Sequence, residues 1–317
     1  MSSSNPKSVL ITGTTGLVGR SLMQQLAGQC TLYSMGRSKP EADIVHIDAH
    51  FGDNQHWLEA VEQILPQVEV VVHCAARVHV MQDSASNPLQ QFTAVNTDAT
   101  LALAKAAASA GVKRFIFISS IKVNGEYTLA GVPFTAADKV APTDPYAHSK
   151  WQAERGLLQL GQHTEMEIVI IRPPLVYGPG VKANFRALAA AVKRGYPLPF
   201  GAIDNKRSLV ALQNLVSLIQ CCLTHPAASG QTLLVSDGID LSSAELVRLM
   251  AAAQGVKARV WPVPGWLLQS AATLFGKAEQ YRRVVGSLQL DITATCNRLN
   301  WSPPLTPEQA ITKALEN

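Results

Sequence analysis

Residues 8–20 read SVLITGTTGLVGR, and this stretch restricts the fold more than any other in the chain. Ser8 to Thr12 is a short apolar run that predicts a buried strand. Leu17 to Leu26 carries the apolar spacing of a helix. Between them, Gly13, Gly16 and Gly19 form a GxxGxxG. Glycine lets the backbone turn tightly and approach a pyrophosphate. The helix that follows offers free N–H groups and the positive end of its dipole. The stretch therefore predicts a dinucleotide site, with Thr15, Leu17 and Val18 beside the three glycines.

The rest of the chain continues the same plan. Apolar runs at Thr31–Met35, Ile44–Ile47, Val68–Cys74, Phe115–Ser119 and Glu167–Ile171 predict further strands. Trp57–Leu65, the alanine-rich Leu89–Ala110 and Tyr146–Leu160 predict helices. Strand–helix alternation predicts an α/β fold, a Rossmann-type doubly wound parallel sheet with right-handed crossovers, over residues 1–172. After Arg172 the alternation fades and prolines cluster at 173, 174, 179, 197 and 199. Helical patterns at Ser243–Gln254 and Pro307–Leu315 predict a smaller, mainly helical lobe over residues 173–317, which would bind the substrate.

Composition excludes several classes. Of the 317 residues, 47% are hydrophobic and 16% charged, the reverse of a disordered chain. Lys and Arg number 27 against 23 Asp and Glu, a net charge of +4. No basic run or basic–aromatic interleaving accompanies it, so nucleic acid is not expected as a partner. The apolar stretch 209–223 is interrupted by Gln213, Asn214, Ser217 and Gln220 and reads as a strand-to-helix core segment, so no membrane insertion is expected. MSSSNPK before the first strand carries no apolar run, so no signal peptide is expected. The five cysteines form no CxxC, which predicts reduced thiols, a cytoplasmic location and no metal site.

Two local patterns bear on chemistry. The second predicted strand ends in LYSMGRSK, with no acid to bind ribose hydroxyls. Arg37, with Ser38 and Lys39 beside it, suits a 2′-phosphate, which favours NADP(H) over NAD(H). Asp48 and Ala49, after the third strand, are placed to meet the adenine. Tyr146 and Lys150 lie four apart in PYAHSKWQAE and share a helix face. An ammonium beside a phenol lowers a pKa that is normally about 10, which equips Tyr146 for proton transfer.

The order of motifs carries a wider signal. After the glycine loop come VVHCAA (71–76), Asn96 in AVNTDAT, FISSIKVNG (117–125), the Tyr–Lys pair, IRPPLVYGPG (171–180), RSLVALQNL (207–215) and LDITATCNRLNWSPP (290–304). This resembles the extended short-chain dehydrogenase/reductase family, in its NAD-dependent epimerase/dehydratase branch acting on nucleotide sugars, over essentially the whole chain. The resemblance implies that Ser120 joins Tyr146 and Lys150 in catalysis and touches the substrate oxygen. It implies dinucleotide contacts from Cys74, Ala75, Ala76, Asn96, Ser119, Tyr146, Lys150 and Pro173. Asn184, Arg207, Arg282 and Arg283 become candidates for a nucleotide-sugar diphosphate, most simply UDP-linked. Asn124 replaces a tyrosine of the family pattern.

Sugar dehydratases of that family carry Asp-Glu where this chain has Ile121 and Lys122, so dehydration is not expected. SSIKVNGE resembles the corresponding stretch of 4-reductases of O-antigen polysaccharide synthesis. With Arg37, it points to reduction of a UDP-4-keto-6-deoxy-N-acetylhexosamine. The alternative is a UDP-glucose or UDP-GlcNAc 4-epimerase with tightly held NAD. A non-catalytic dinucleotide sensor is a third reading. The resemblance also implies a homodimer, with Leu89–Ala110 and Tyr146–Leu160 as the candidate contact helices.

Overall fold

The computed structural model describes residues 6–42, 44–52, 56–78, 88–129, 131–181, 184–276 and 278–316. The first half runs β1 (Ser8–Thr12), α1 (Leu17–Leu26), β2 (Thr31–Gly36), β3 (Val45–Asp48), α2 (Trp57–Glu62), β4 (Val70–His73), α3 (Pro88–Thr93), α4 (Ala99–Ser109), β5 (Arg114–Ile118), α5 (Pro145–His163) and β6 (Glu167–Arg172). The second half runs β7 (Leu175–Tyr177), α6 (Asn184–Lys193), β8 (Leu209–Ala211), α7 (Leu212–Cys222), β9 (Thr232–Leu234), α8 (Ser243–Ala253), α9 (Gly265–Leu274), α10 (Ala278–Val285), α11 (Thr293–Leu299) and α12 (Pro307–Leu315).

Seven strands form one parallel sheet in the order β3-β2-β1-β4-β5-β6-β9. The order reverses between β1 and β4, where open α/β sheets bind ligands beyond their strand ends. Strands β1, β4 and β5 are buried along their whole length, as a sheet covered by helices on both faces requires. On one face Leu22 and Leu26 of α1 pack with Leu215, Leu218 and Ile219 of α7. On the other, Leu103 and Ala107 of α4 and Leu157 of α5 close over Leu10, Val71 and Phe115.

Residues after 172 serve both lobes. Strand β9 pairs with β6, and α7 covers α1. A separate core, with Tyr177, Phe185, Val247, Met250 and Ile311, holds α6, α8 and α12 around the two-stranded β7–β8 sheet. Asp237 ties the parts together. Its carboxylate accepts from the Tyr177 hydroxyl at 2.7 Å, the Ala211 N–H at 2.7 Å and the Asn214 amide at 2.7 Å.

The predicted single helix over 89–110 is not continuous. Residues 94–98 form a π-turn between α3 and α4. The Asn96 amide supplies a cause, because it is bound to backbone outside the helix. Such turns recur at functional sites. Among the described residues, no helix is long and apolar enough to cross a membrane.

Candidate active site

The glycine loop lies where the sheet order reverses. Gly13 has φ +69°, a conformation that side chains resist, and a Cβ there would sit 2.9 Å from the Ala75 backbone. A Cβ on Gly19 would lie 2.5 Å from the Gly13 carbonyl oxygen. The loop is thus packed to backbone contact, with Thr15 and Gly16 exposed beside it. No side chain caps α1 at Gly16, which leaves its first N–H groups for a ligand. The Thr14 hydroxyl is buried in the loop with no partner among the described residues. These features fit a dinucleotide diphosphate. Leu17 and Val18 are half-buried at the start of α1.

The remaining cofactor candidates spread along the strand ends. Arg37, Ser38 and Lys39 are exposed after β2. Ala49 is buried and its N–H donates to the Gly36 carbonyl at 3.0 Å. Asp48 is exposed, with its carboxylate 3.3 Å from His46 Nε2. Cys74, Ala75 and Ala76 are half-buried beyond β4, and burial pushes the Cys74 thiol up to about 12, so it stays protonated. Asn96 is fully buried. Its Oδ1 accepts from Arg77 N–H at 2.8 Å, and its Nδ2 donates to the Arg77 carbonyl at 3.0 Å and Ser149 Oγ at 3.0 Å. It fixes the loop after β4 to the tyrosine helix.

Ser120 and Tyr146 meet. The Ser120 hydroxyl lies near enough to the half-buried Tyr146 phenol to favour its ionised form. Ser120 begins a short 3₁₀ turn, Ile121–Val123, and its Oγ accepts from Lys122 N–H at 3.3 Å. Ile121 N–H donates to the Pro173 carbonyl at 3.0 Å, which anchors that turn to the end of β6. Tyr146 stands in the first turn of α5, capped by Asp144, which accepts from Ala147 N–H at 2.7 Å. Burial and the Asp144 carboxylate push the phenol up to about 12, partly offset by Ser120.

Lys150 is engaged elsewhere. Its Nζ donates to the Ile118 carbonyl at 2.8 Å and sits 4.4 Å from the centre of the Phe117 ring. Burial lowers its pKa to about 8, with Cys74 and Glu154 acting against that shift. The expected lowering of the phenol by this ammonium is therefore not what the structure displays: the charge that acts on Tyr146 is that of Asp144.

One turn beyond Lys150 on α5 begins a polar network that sequence reasoning missed. Glu154 is buried and faces Arg172, with Oε2 2.5 Å from Nη2 and Oε1 3.0 Å from Nε. The Ser119 hydroxyl donates to Glu154 Oε1 at 2.5 Å, so its side chain is committed to this network. Arg172 Nη1 donates to Asn124 Oδ1 at 2.9 Å, and Asn124 Nδ2 to the Thr135 carbonyl at 2.9 Å. A signal existed: Tyr146, Lys150 and Glu154 are spaced by four along one helix face.

His73, at the end of β4, was also missed. Its Nε2 lies 3.0 Å from Thr100 Oγ1 and its Nδ1 2.9 Å from Thr12 Oγ1. Thr100 gives its only proton to the Asn96 carbonyl at 2.9 Å, so His73 Nε2 must carry the hydrogen. Nδ1 then accepts from Thr12, which itself accepts from Ala75 N–H at 3.0 Å. Burial, with Lys150 nearby, lowers the His73 pKa to about 3, so it is neutral.

In the C-terminal lobe, Arg207 Nη1 donates to the Gly286 carbonyl at 2.9 Å, and Gly286 N–H to the Arg282 carbonyl at 2.8 Å. Arg207 and Arg282 thus converge on one turn, Arg282 exposed and Arg207 half-buried. Asn184 is exposed at the first residue of α6. The Arg283 side chain lies outside the described residues. Among the described residues no cluster of potential metal ligands occurs.

Comparison with known proteins agrees with this geometry. The profile of the NAD dependent epimerase/dehydratase family matches residues 9–235. The chain is 48% identical to a UDP-glucose 4-epimerase of Vibrio cholerae, over 96% of this chain and 93% of that one. It is 29% identical to a GDP-6-deoxy-D-mannose reductase of Pseudomonas aeruginosa, over 98% and 96% of the two chains. The Bordetella bronchiseptica enzyme WbmG, solved in complex with NAD and UDP, superposes with a TM-score of 0.76 at 22% identity, covering 98% of this chain and 94% of that one. The loop at Gly13–Gly19, the Ser120–Tyr146 contact and these likenesses lead to one conclusion: the chain belongs to the NAD-dependent epimerase/dehydratase family, within the extended short-chain dehydrogenases/reductases.

Proposed function

We infer that the chain is a 4-epimerase of a UDP-linked hexose or N-acetylhexosamine. The observation that carries this is the 48% identity, over nearly the whole of both chains, to a UDP-glucose 4-epimerase. It displaces the 4-reductase as the first reading. The site supports it: Ser120 and Tyr146 converge on one point, and Ile121 and Lys122 supply no carboxylate for water loss.

A nicotinamide dinucleotide, once bound, supplies a reversible hydride acceptor. The glycine loop and the N-terminus of α1 would hold its diphosphate, with Cys74–Ala76 and Lys150 along its length. Ser120 holds the sugar O4 by a hydrogen bond. Tyr146 takes the O4 proton as the alcohol is oxidised and returns it as the ketone is reduced. Lys150, held by the Ile118 carbonyl, would meet the nicotinamide ribose. Arg207 and Arg282 would face the substrate diphosphate from the Gly286 turn.

The second reading is a 4-reductase of a UDP-4-keto sugar using NADPH. Arg37, exposed after β2 where no acid stands, favours it. One experiment separates the two. The purified protein is denatured and any released nucleotide identified, and UDP-glucose and UDP-GlcNAc are assayed without added cofactor. Retained NAD and inversion at C4 are expected. An empty protein that prefers NADPH and consumes it only with a 4-keto sugar would overturn the epimerase in favour of the reductase.

A further inference from the structure

The face built by α9 and the segment before it that carries Trp261 is exposed and apolar. No residue of α9 is buried. Trp261 is 59% exposed, Trp266 67%, Leu274 81% and Phe275 73%. Single exposed apolar residues are ordinary, but four large ones within fifteen residues mark an interaction surface. Trp266 and Leu274 lie eight apart and Leu267 and Leu274 seven apart, so they share one side of the helix.

The patch is rimmed by cations. Leu198 N–H donates to the Arg259 carbonyl at 2.8 Å and Trp261 N–H to the Leu198 carbonyl at 2.8 Å, so the turn bearing Lys193, Arg194 and Tyr196 lies against Arg259 and Trp261. Lys193, Arg194, Lys257, Arg259 and Arg282 are all exposed. Residues 193–206 and 255–285 hold eight of the chain's 27 Lys and Arg and two of its 23 Asp and Glu, so the remaining residues carry a net charge of −2. Those two segments therefore carry a net charge of +6, and Trp261 and Trp266 belong to one of them.

We propose that this face docks the protein on an anionic phospholipid surface, with α9 lying in the interface and not crossing it. Tryptophan and phenylalanine with flanking Lys and Arg is the chemistry of interfacial binding, where apolar burial and attraction to acidic headgroups act together. A two-fold contact with a second copy would set this cationic rim against itself, and the cores of such contacts are depleted in lysine. The patch is also tied to the substrate lobe: the Tyr281 hydroxyl donates to the Gly265 carbonyl at 2.9 Å, and α10 leads into the Gly286 turn that holds Arg207. Docking would set that lobe close to the membrane surface. The proposal does not depend on which reaction the site performs.

The test is sedimentation with vesicles of phosphatidylcholine alone and of equal parts phosphatidylcholine and phosphatidylglycerol, with tryptophan emission and light scattering read alongside. The intact protein is expected to bind the anionic vesicles, with a blue-shifted emission and a salt-sensitive affinity. The double variant Trp266→Ser, Phe275→Ser should lose about tenfold or more of that affinity while keeping its melting temperature and enzymatic rate. Arg259→Ser with Lys257→Ser should weaken binding to the anionic vesicles and reduce its dependence on salt. Absence of binding, or binding unchanged in the tryptophan variant, overturns the proposal. Self-association abolished by the same variant, with no vesicle binding, overturns it in favour of a second copy.

Discussion

The Lys122 ammonium lies 2.5 Å from the carboxylate of Asp144, the residue that caps the helix bearing Tyr146. Glu126 takes a second hydrogen bond from Lys122 at 2.9 Å. Burial opposes the charge on Lys122, but the two carboxylates outweigh it and raise its pKa. Lys122 therefore shields the phenol from the charge of Asp144. In Lys122→Met that shield is removed and the phenol is harder to ionise. The limb of kcat/KM that follows phenolate formation should move to higher pH by roughly half a unit to one unit. An unmoved limb would show that Tyr146 does not feel Asp144.

Tyr146→Phe removes the proton that moves at the site and leaves the glycine loop intact. Turnover should fall by about 10²–10⁴-fold, while dinucleotide binding, followed by fluorescence titration, stays near its original value. Ser120→Ala removes one hydrogen bond to the reacting oxygen and should cost about 10²-fold in kcat, with a smaller change in KM. Full activity in Tyr146→Phe would remove Tyr146 from the mechanism.

Glu154 and Arg172 are both buried, so removing either leaves a charge without its counterpart. Arg172→Met alone should cost about 3–5 kcal/mol, read as a lower urea midpoint. Arg172→Met combined with Glu154→Leu should recover much of that loss, because no charge remains buried. A double variant as unstable as the sum of the singles would mean the pair is not coupled.

His73 gives the fold an acid sensitivity with a defined direction. Its folded pKa of about 3 lies below the usual 6.5, so the unfolded chain binds the extra proton first. Stability from this group is complete above about pH 6.5 and declines as pH falls toward 3, by about 1.4 kcal/mol per pH unit. Urea unfolding between pH 7 and pH 4.5 should show that slope, and His73→Phe should flatten it while starting from a lower stability. An equal slope in both proteins would place the acid sensitivity elsewhere.

Gly19→Ala brings a Cβ to 2.5 Å from the Gly13 carbonyl oxygen, a methyl against backbone, where no flexible side chain can yield. The loop should shift and dinucleotide binding should weaken by more than about tenfold, with a stability loss of about 1–3 kcal/mol. Calorimetric titration with NAD and NADPH reads both the loss and the preference between the two.

Most of the sheet was legible because β1, β4, β5 and β6 are apolar runs with no other plausible fate. The glycine loop was legible because its residues answer to backbone geometry rather than to the rest of the fold. Strand β9 was not, because Thr232–Leu234 is three residues long and becomes a strand only by pairing with β6. The π-turn at 94–98 was hidden in an alanine-rich run whose local propensity is helical throughout. Only a distant partner, the Arg77 backbone, reveals why Asn96 interrupts it. At the site, Tyr146 was proposed from its spacing to Lys150 and Ser120 from the family resemblance. Glu154 and Arg172 escaped because a charged residue in a helix or at a strand end reads as solvated until its partner is seen.

The seventh strand also decides what can be inherited separately. β9 closes an edge of the seven-stranded sheet, and α7 covers α1, yet both are encoded after the first segment of the smaller core. A fragment ending at residue 172 would expose the open side of β6 and the apolar side of α1, and would aggregate rather than fold. The parts open to exchange are the stretches on either side of β8–β9, roughly 178–206 and 239–290 by the element boundaries. On the function proposed above, a new sugar would require both inserts to change together, because no single seam divides the chain into two separable lobes.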